Sequence, residues 1–500
     1  MASDDRLIAL RADLRQAGFT VEGVGERLGP LAASALHREQ PVPALLATAA
    51  ATDSCGVLIA LFTLGETVTT AAVETALPHL GLAGAVTLGL VRAASGRVRA
   101  LCDLRPYGNG TSGPGGAGHD WWVASDLGEL QTGTALRRDH VLGIGGASTT
   151  LASWTVRRPV ERALDLGTGC GVQALHLSSH VTSVVATDLS ERARDYAVFN
   201  AALNEIELVV GVGDMLEPVT GQQFSLVVSN PPFVITPRVA GVPRYEYRDG
   251  GRAGDALVRS LVREVAAVLE PGGVAQLLGN WEVPRGCTWR EVWGRWLDGV
   301  GLDAWVVQRD TQDPAEYAEL WSRDGGVLPG TREQRHLVTA WLHDFEGRDV
   351  ESIGFGVITL QRPLTPREPW RDLCEVIGPV APAMGPVIEA GLRARTWLAE
   401  HDDAQVLGVA WSCAADVVEE RYGRPGADDP NVILFRQGGG LRREVRADTV
   451  LAAYLGVADG ELTARAALDA IAELVGADAG TVRAEITPRL RDLIADGLLV

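Results

Sequence analysis

The chain has 500 residues, too many for one hydrophobic core, so two to four domains are expected. With 46% apolar, 22% charged and 6% aromatic residues it has the composition of a folded globular chain, which excludes disorder as its main state. The net charge of −19 argues against general binding of phosphate backbones, and no apolar run reaches the roughly 18 to 20 residues of a membrane helix.

The first residues lack the basic-then-apolar pattern of a signal peptide, so a cytoplasmic protein is expected. Cys55, Cys102, Cys170, Cys287, Cys374 and Cys413 are scattered without a C-x-x-C pair, which argues against a disulfide framework and a zinc site. All 45 basic residues are arginine, which excludes Schiff-base and P-loop lysine chemistry. Residues 301–500 carry 20 Arg against 33 acids, whereas residues 1–160 carry 13 against 14 and are near neutral.

Residues 1–120 read as a helical, winged-helix-like N-terminal domain, with short helices over 1–100. Leu7, Leu10 and Leu14 recur at helical spacing, and 30–39, 43–51 and 69–76 each suggest a further helix. Strands are expected at 97–104 and 121–127, joined by a Gly-rich loop at 107–119, which suggests a winged-helix-like module. Residues 121–154 are read as a connector.

Residues 155–362 alternate short apolar strands (163–166, 183–187, 208–211, 226–229 and 274–278) with amphipathic helices, the pattern of a parallel sheet covered on both faces. The helix after Gly254 aligns Leu257, Leu261, Val265 and Val268 and stops at Pro271-Gly272-Gly273. Further strands are expected at 305–308 and 353–360, around a helical insert at 314–322. Residues 363–500 read as helical and winged-helix-like, with helices at 447–455, 464–474 and 482–495, the last kinked or split by Pro488.

Three motifs carry the chemistry. Asp165-Leu166-Gly167-Thr168-Gly169-Cys170-Gly171 follows a strand and opens a helix; its glycines permit a tight turn and the close approach of a nucleotide-like cofactor. Asp188 ends the next strand, where an acid can accept ribose hydroxyls. Val172 stands where a dinucleotide fingerprint has Gly or Ala, and Asp165 precedes the first glycine by two, which together favour S-adenosylmethionine over NAD. After the third strand, Gly213-Asp214-Met215 offers an acid for an adenine amino group and a side chain to pack on the ring.

The third motif is Ser229-Asn230-Pro231-Pro232-Phe233, at the end of the fourth strand. Its prolines fix the backbone and leave carbonyl oxygens free. The Asn230 side-chain oxygen and the Pro231 carbonyl can accept both hydrogens of a planar –NH2 group, and Phe233 offers a face to a planar target. The catalytic candidates are therefore Asn230, Pro231, Pro232 and Phe233; the cofactor candidates are Asp165, Gly167, Gly169, Gly171, Asp188, Asp214, Met215 and Asn230. No metal site is expected: His176 and His180, although four apart, lie on the first core helix and read as a satisfied or exposed pair.

With these motifs the chain resembles the class I S-adenosylmethionine-dependent methyltransferases of the N-P-P-[YFW] group. The run Asn230-Pro231-Pro232-Phe233-Val234-Ile235-Thr236-Pro237 is most similar to the HemK-like N5-glutamine methyltransferases acting on release factors. The resemblance covers residues 155–362 and implies a Rossmann-like seven-stranded α/β core with an antiparallel last strand, here flanked by mostly helical domains. It implies S-adenosylmethionine as cofactor and a macromolecular substrate, a protein glutamine in a translation factor being favoured over an RNA or DNA amino group. Phe233 replaces the usual Tyr and also occurs in ribosomal RNA guanine methyltransferases, which keeps the nucleic-acid alternative open. Arg244-Tyr245-Glu246-Tyr247-Arg248-Asp249-Gly250-Gly251 reads as a substrate-gating or a plain surface loop, residues 143–150 as a helix cap, and Arg483, Arg489 and Arg491 as a solvated helix face.

Overall fold

The computed structural model describes residues 2–108, 120–133, 136–426 and 430–500. It divides into two compact units: Met1–Thr149, Pro159–Gly301 and Asp310–Thr365 form the first, and Thr150–Arg158, Leu302–Arg309 and Pro366–Val500 the second. No helix among the described residues is long and apolar enough to cross a membrane.

The first unit opens with helices Ala2–Gln16, Val21–Leu36, Val42–Thr48 and Ser54–Leu58. Leu7, Leu10 and Leu14 are buried, as their spacing predicts. The helix expected at 30–39 is the second half of a longer one, broken where Gly29 takes φ 73° before Pro30. Thr69 caps Thr70–Ala76 by accepting the Ala72 N–H. After Gly81–Thr87 comes a hairpin, Val91–Ala94 with Arg97–Ala100, whose turn at Ser95 and Gly96 takes positive φ at both residues.

The strand expected at 97–104 is therefore two. Arg97–Ala100 closes the hairpin, and Asp103–Gly108 pairs antiparallel with Asp120–Ser125. Of the Gly-rich loop expected at 107–119, residues 109–119 lie outside the described residues.

Six strands of the central sheet belong to the first unit, in the order Val350–Gln361, Leu269–Pro284, Phe224–Ser229, Val160–Leu166, Val181–Asp188, Val209–Val212. The last five run parallel, and Val350–Gln361 is antiparallel to Leu269–Pro284, from Val274 opposite Gln361 to Pro284 opposite Val350. In register, Leu166 lies opposite both Thr187 and Ser229, and Asp188 opposite Val212. Strand ends 166, 188, 212 and 229 thus share one edge, where an open parallel sheet places its ligands.

The helix after Gly254 spans Ala256–Glu264 and tightens into a 3₁₀ turn, burying Leu257, Leu261, Val265 and Val268. The next strand begins at Leu269, ahead of the expected break at Pro271, with an irregular register up to Val274. The helical insert is a pair, Pro314–Asp324 and Arg332–Gly347, packed on Ile235, Val242 and Ile353.

In the second unit Asp303–Gln312, whose end the division cuts, pairs in parallel with Arg371–Glu375. Three further strands, Val417–Tyr422, Val432–Gln437 and Glu444–Ala447, form an antiparallel sheet where the sequence suggests only helices. Their side chains are mostly exposed or half-buried, so they lack the apolar alternation that announces a strand. Helices Thr449–Val457, Ala464–Val475 and Ala479–Ala495 fall where expected. Contrary to expectation, Pro488 does not split the last of them: the helix is continuous, its buried face (Val482, Ile486, Leu490, Leu493, Ile494) anchored in the core of the unit.

Candidate functional site

The strand Val160–Leu166 delivers the glycine loop to the shared edge. Gly167, Gly169 and Gly171 all take positive φ (73°, 56° and 87°). The Gly167 and Thr168 N–H groups both donate to the Thr187 carbonyl, folding the loop onto the next strand (2.8 and 2.9 Å). A side chain at Gly167 or Gly169 would point into open space, whereas a Cβ at Gly171 would lie 3.2 Å from Ala197 Cα. The first two glycines leave room above the loop, and the third lets the following helix approach Glu191–Leu203.

Asp188 closes the loop from the side. Its Oδ2 accepts the Gly169 N–H and its Oδ1 the Ser190 N–H, each at 2.9 Å. Burial raises its carboxyl from the ordinary value against those hydrogen bonds. Asp214 is exposed, with Oδ2 3.6 Å from the Arg252 guanidinium, and Met215 beside it takes φ 44°. Ser229 Oγ donates to the Leu166 carbonyl at 2.7 Å, locking the fourth strand to the first just before Asn230.

These groups meet around one cavity of about 330 Å³, lined by Gly167, Thr168, Gly169, Asp188, Asp214, Met215, Asn230 and Pro232 among others. The half-buried Asn230 amide makes no hydrogen bond to any described residue.

Four of the sequence candidates do not line the cavity. Asp165 lies beneath the loop, where its Oδ2 accepts from Thr168 Oγ1 (2.6 Å) and Ala174 N–H (2.9 Å) while Oδ1 has no partner; burial pushes it up to about 7. Gly171 faces Ala197, and Pro231 is buried. Phe233 pairs through its backbone in an antiparallel bridge with Asp249 and is not among the residues that line this cavity.

The aromatic wall comes from the segment that follows. Tyr245 and Tyr247 line the cavity, their ring centroids 5.8 Å apart. Residues 244–251 are tied down: Val234 N–H donates to the Arg248 carbonyl, Glu246 N–H to that of Arg138, and Arg238 clasps Asp249 at 2.6 and 2.9 Å. Arg248 lies over the Tyr245 ring at 4.8 Å and pairs with Asp324. Of the two readings of this segment, a plain surface loop is excluded. Gly143 and Ser148 also line the cavity, so residues 143–150 do more than cap a helix.

Two supports were invisible to sequence reading. Tyr317 Oη accepts the Ile235 N–H at 2.8 Å, and Trp341 Nε1 donates to the Ile235 carbonyl at 2.7 Å. Both stand about a hundred residues beyond the motif they hold, and no local pattern links them to it. His140 is another: it lines the cavity, and burial lowers its imidazole from the ordinary value against the pull of Asp126. His176 bonds Tyr107 Oη and packs edge-on to Trp121, and Arg483, Arg489 and Arg491 pair with Asp469, Asp448 and Asp403. Among the described residues no cluster of His, Cys, Asp or Glu could hold a metal.

The residues present fit S-adenosylmethionine: glycines without obstruction above them, an acid at the end of the second strand, and an orphaned amide at the end of the fourth. Residues 143–295 match the family "Methyltransferase small domain", and residues 16–101 match "Domain of unknown function (DUF7059)". The chain is 39% identical over 124 residues to a release factor glutamine methyltransferase of Deinococcus radiodurans, covering 23% of this chain and 44% of the relative. It is 33% identical to a ribosomal protein uL3 glutamine methyltransferase of Bradyrhizobium diazoefficiens (27% and 44%). To a ribosomal RNA small subunit methyltransferase C of Alcanivorax borkumensis it is 28% identical (30% and 39%). The chain spans less than half the length of these relatives. The core around the cavity resembles the class I S-adenosylmethionine-dependent methyltransferases of the HemK-like kind.

Proposed function

We propose that this protein transfers a methyl group from S-adenosylmethionine to a planar side-chain nitrogen, the amide of a glutamine in a translation factor, and so works in the cytoplasm. The observation that carries this reading is the unpartnered Asn230 amide in the same cavity as the glycine loop and Asp188. Gly167, Gly169, Asp188, Asp214 and Met215 would hold the cofactor, which supplies an electrophilic methyl on a sulfonium. Asn230 Oδ1, the candidate acceptor that faces the cavity, accepts an amide hydrogen and turns the nitrogen lone pair toward that methyl. The amide nitrogen would gain the methyl carbon that the sulfonium gives up, leaving S-adenosylhomocysteine, and would lose one proton to solvent. Positioning and exclusion of water carry the acceleration, with no general base.

Similarity to two glutamine enzymes and the net charge of −19 support a protein acceptor. A second reading, methylation of an RNA amino group, is favoured by one feature: Arg92 and Arg99 stand directly opposite each other, both exposed, on the N-terminal hairpin. The test supplies methyl-labelled cofactor with ribosomes and release factors. Label that is protease-sensitive and maps by mass spectrometry to a glutamine supports the proposal; nuclease-sensitive label overturns it for the second reading.

A further inference from the structure

The second unit contains a cleft of about 800 Å³ that shares no residue with the cofactor cavity. Trp305, Trp397 and Trp411 contribute to its wall. All three rings are held. Trp411 donates from Nε1 to the Val406 carbonyl at 3.1 Å, and its ring meets Trp397 edge-on with centroids 5.4 Å apart. The Arg395 guanidinium covers the Trp305 ring at 3.7 Å, and a Cβ at Gly391 would come within 2.5 Å of that ring, so the helix Gly385–Glu400 approaches it only through a glycine. Trp305 is 2% exposed behind Arg395, so the half-buried Trp397 and Trp411 rings are the ones a ligand meets, and walls fixed before it arrives cost little in ordering.

One polar group in this lining is left unsatisfied. Gln437 is only 9% exposed. Its Nε2 donates to the Asp496 carbonyl at 3.2 Å, which fixes the amide, and its buried Oε1 has no hydrogen-bond partner. A buried acceptor without a donor is costly, and a buried polar group in this state calls for an explanation. Neither the catalytic reading nor the packing of the unit uses it.

We propose that this cleft binds a flat aromatic molecule bearing a ring N–H, with its rings against Trp397 and Trp411 and the N–H donated to Gln437 Oε1. Aromatic walls supply affinity by burial and edge-to-face contact, and the single acceptor supplies orientation. A ligand of the same shape without the donor leaves Oε1 unpaired and binds less tightly.

Indole and benzofuran, near-identical in shape, differ at the ring N–H and are the probes. Calorimetry on the full chain should give indole about tenfold tighter binding than benzofuran, the worth of one hydrogen bond. Gln437→Leu should bring the two to equal affinity. Ala390 is exposed on the cleft side of its helix, so Ala390→Trp should fold normally and block both probes. S-adenosylmethionine affinity should stay unchanged in both variants. Equal affinity of indole and benzofuran for the unaltered protein, or undiminished binding to Ala390→Trp, overturns the proposal.

Discussion

Asp188 and Gly169 are joined by a 2.9 Å hydrogen bond from the glycine N–H to the carboxylate Oδ2, so the acid at the end of one strand sets the shape of the loop at the end of another. Asp188→Ala removes both this acceptor and the one for Ser190. An unmet donor in a half-buried site is worth about 1–3 kcal/mol, so affinity for S-adenosylmethionine should fall roughly tenfold or more by calorimetry. Unchanged affinity would remove the cofactor from this cavity.

Asn230 has the opposite character, since its amide supports nothing in the fold. Asn230→Ala should therefore leave thermal stability and cofactor affinity nearly unchanged while turnover falls on the order of 10²- to 10³-fold. Loss of binding and turnover together would show that Asn230 serves the cofactor instead of the acceptor.

Asp165 should make the ligand-free protein sensitive to pH. Its folded-state value of about 7 lies above the ordinary 3.8, because burial opposes ionisation. Below about pH 4 the carboxyl is protonated in both states. As pH rises from 4 to 7 the unfolded chain ionises first, and stability is progressively lost until the folded form ionises too. Asp165→Asn can keep one oxygen for Thr168 and Ala174 and places an amide where Oδ1 has no partner. By denaturation at pH 8 it should be more stable than the unaltered protein by roughly 1–4 kcal/mol, an advantage that shrinks toward pH 5. A constant difference across that range would assign the effect to packing.

Much of the core was legible because its signals are local. Five apolar runs predict the sheet, and four of them lead into Gly167-Thr168-Gly169, Asp188, Asp214 and Asn230, the ligand-bearing edge at which the register aligns the strand ends 166, 188, 212 and 229. The walls of the site were not legible in the same way. Phe233 is the last residue of the motif yet does not line the cavity, while Tyr245 and Tyr247, twelve and fourteen residues on, do. That exchange depends on Arg238, Arg248, Tyr317 and Trp341, whose partners are set by tertiary packing. The strand Val417–Tyr422 escaped for another reason: it has no buried residue to give it a period.

The last prediction separates the two acceptors. On the hairpin, Arg92 lies directly opposite Arg99, a like-charge pair that costs stability across an antiparallel ladder and that no acid offsets among the described residues. Arg97 differs, since its guanidinium donates to the Thr67 carbonyl at 2.9 Å and helps hold the sheet. The informative variant is therefore Arg92→Glu with Arg99→Glu, leaving Arg97 intact. It should fold at least as well as the unaltered protein, because one like-charge pair replaces another on an exposed face. If the acceptor is a protein glutamine, kcat/KM on a purified release factor should change by less than about threefold, and its salt dependence should stay flat. If the acceptor is RNA, each lost arginine removes released counterions, so activity should drop steeply at low salt and the slope of log activity against log salt should flatten by about one to two. A steep loss with a flattened slope would overturn the glutamine assignment while leaving the cofactor site, tested through Asp188, untouched.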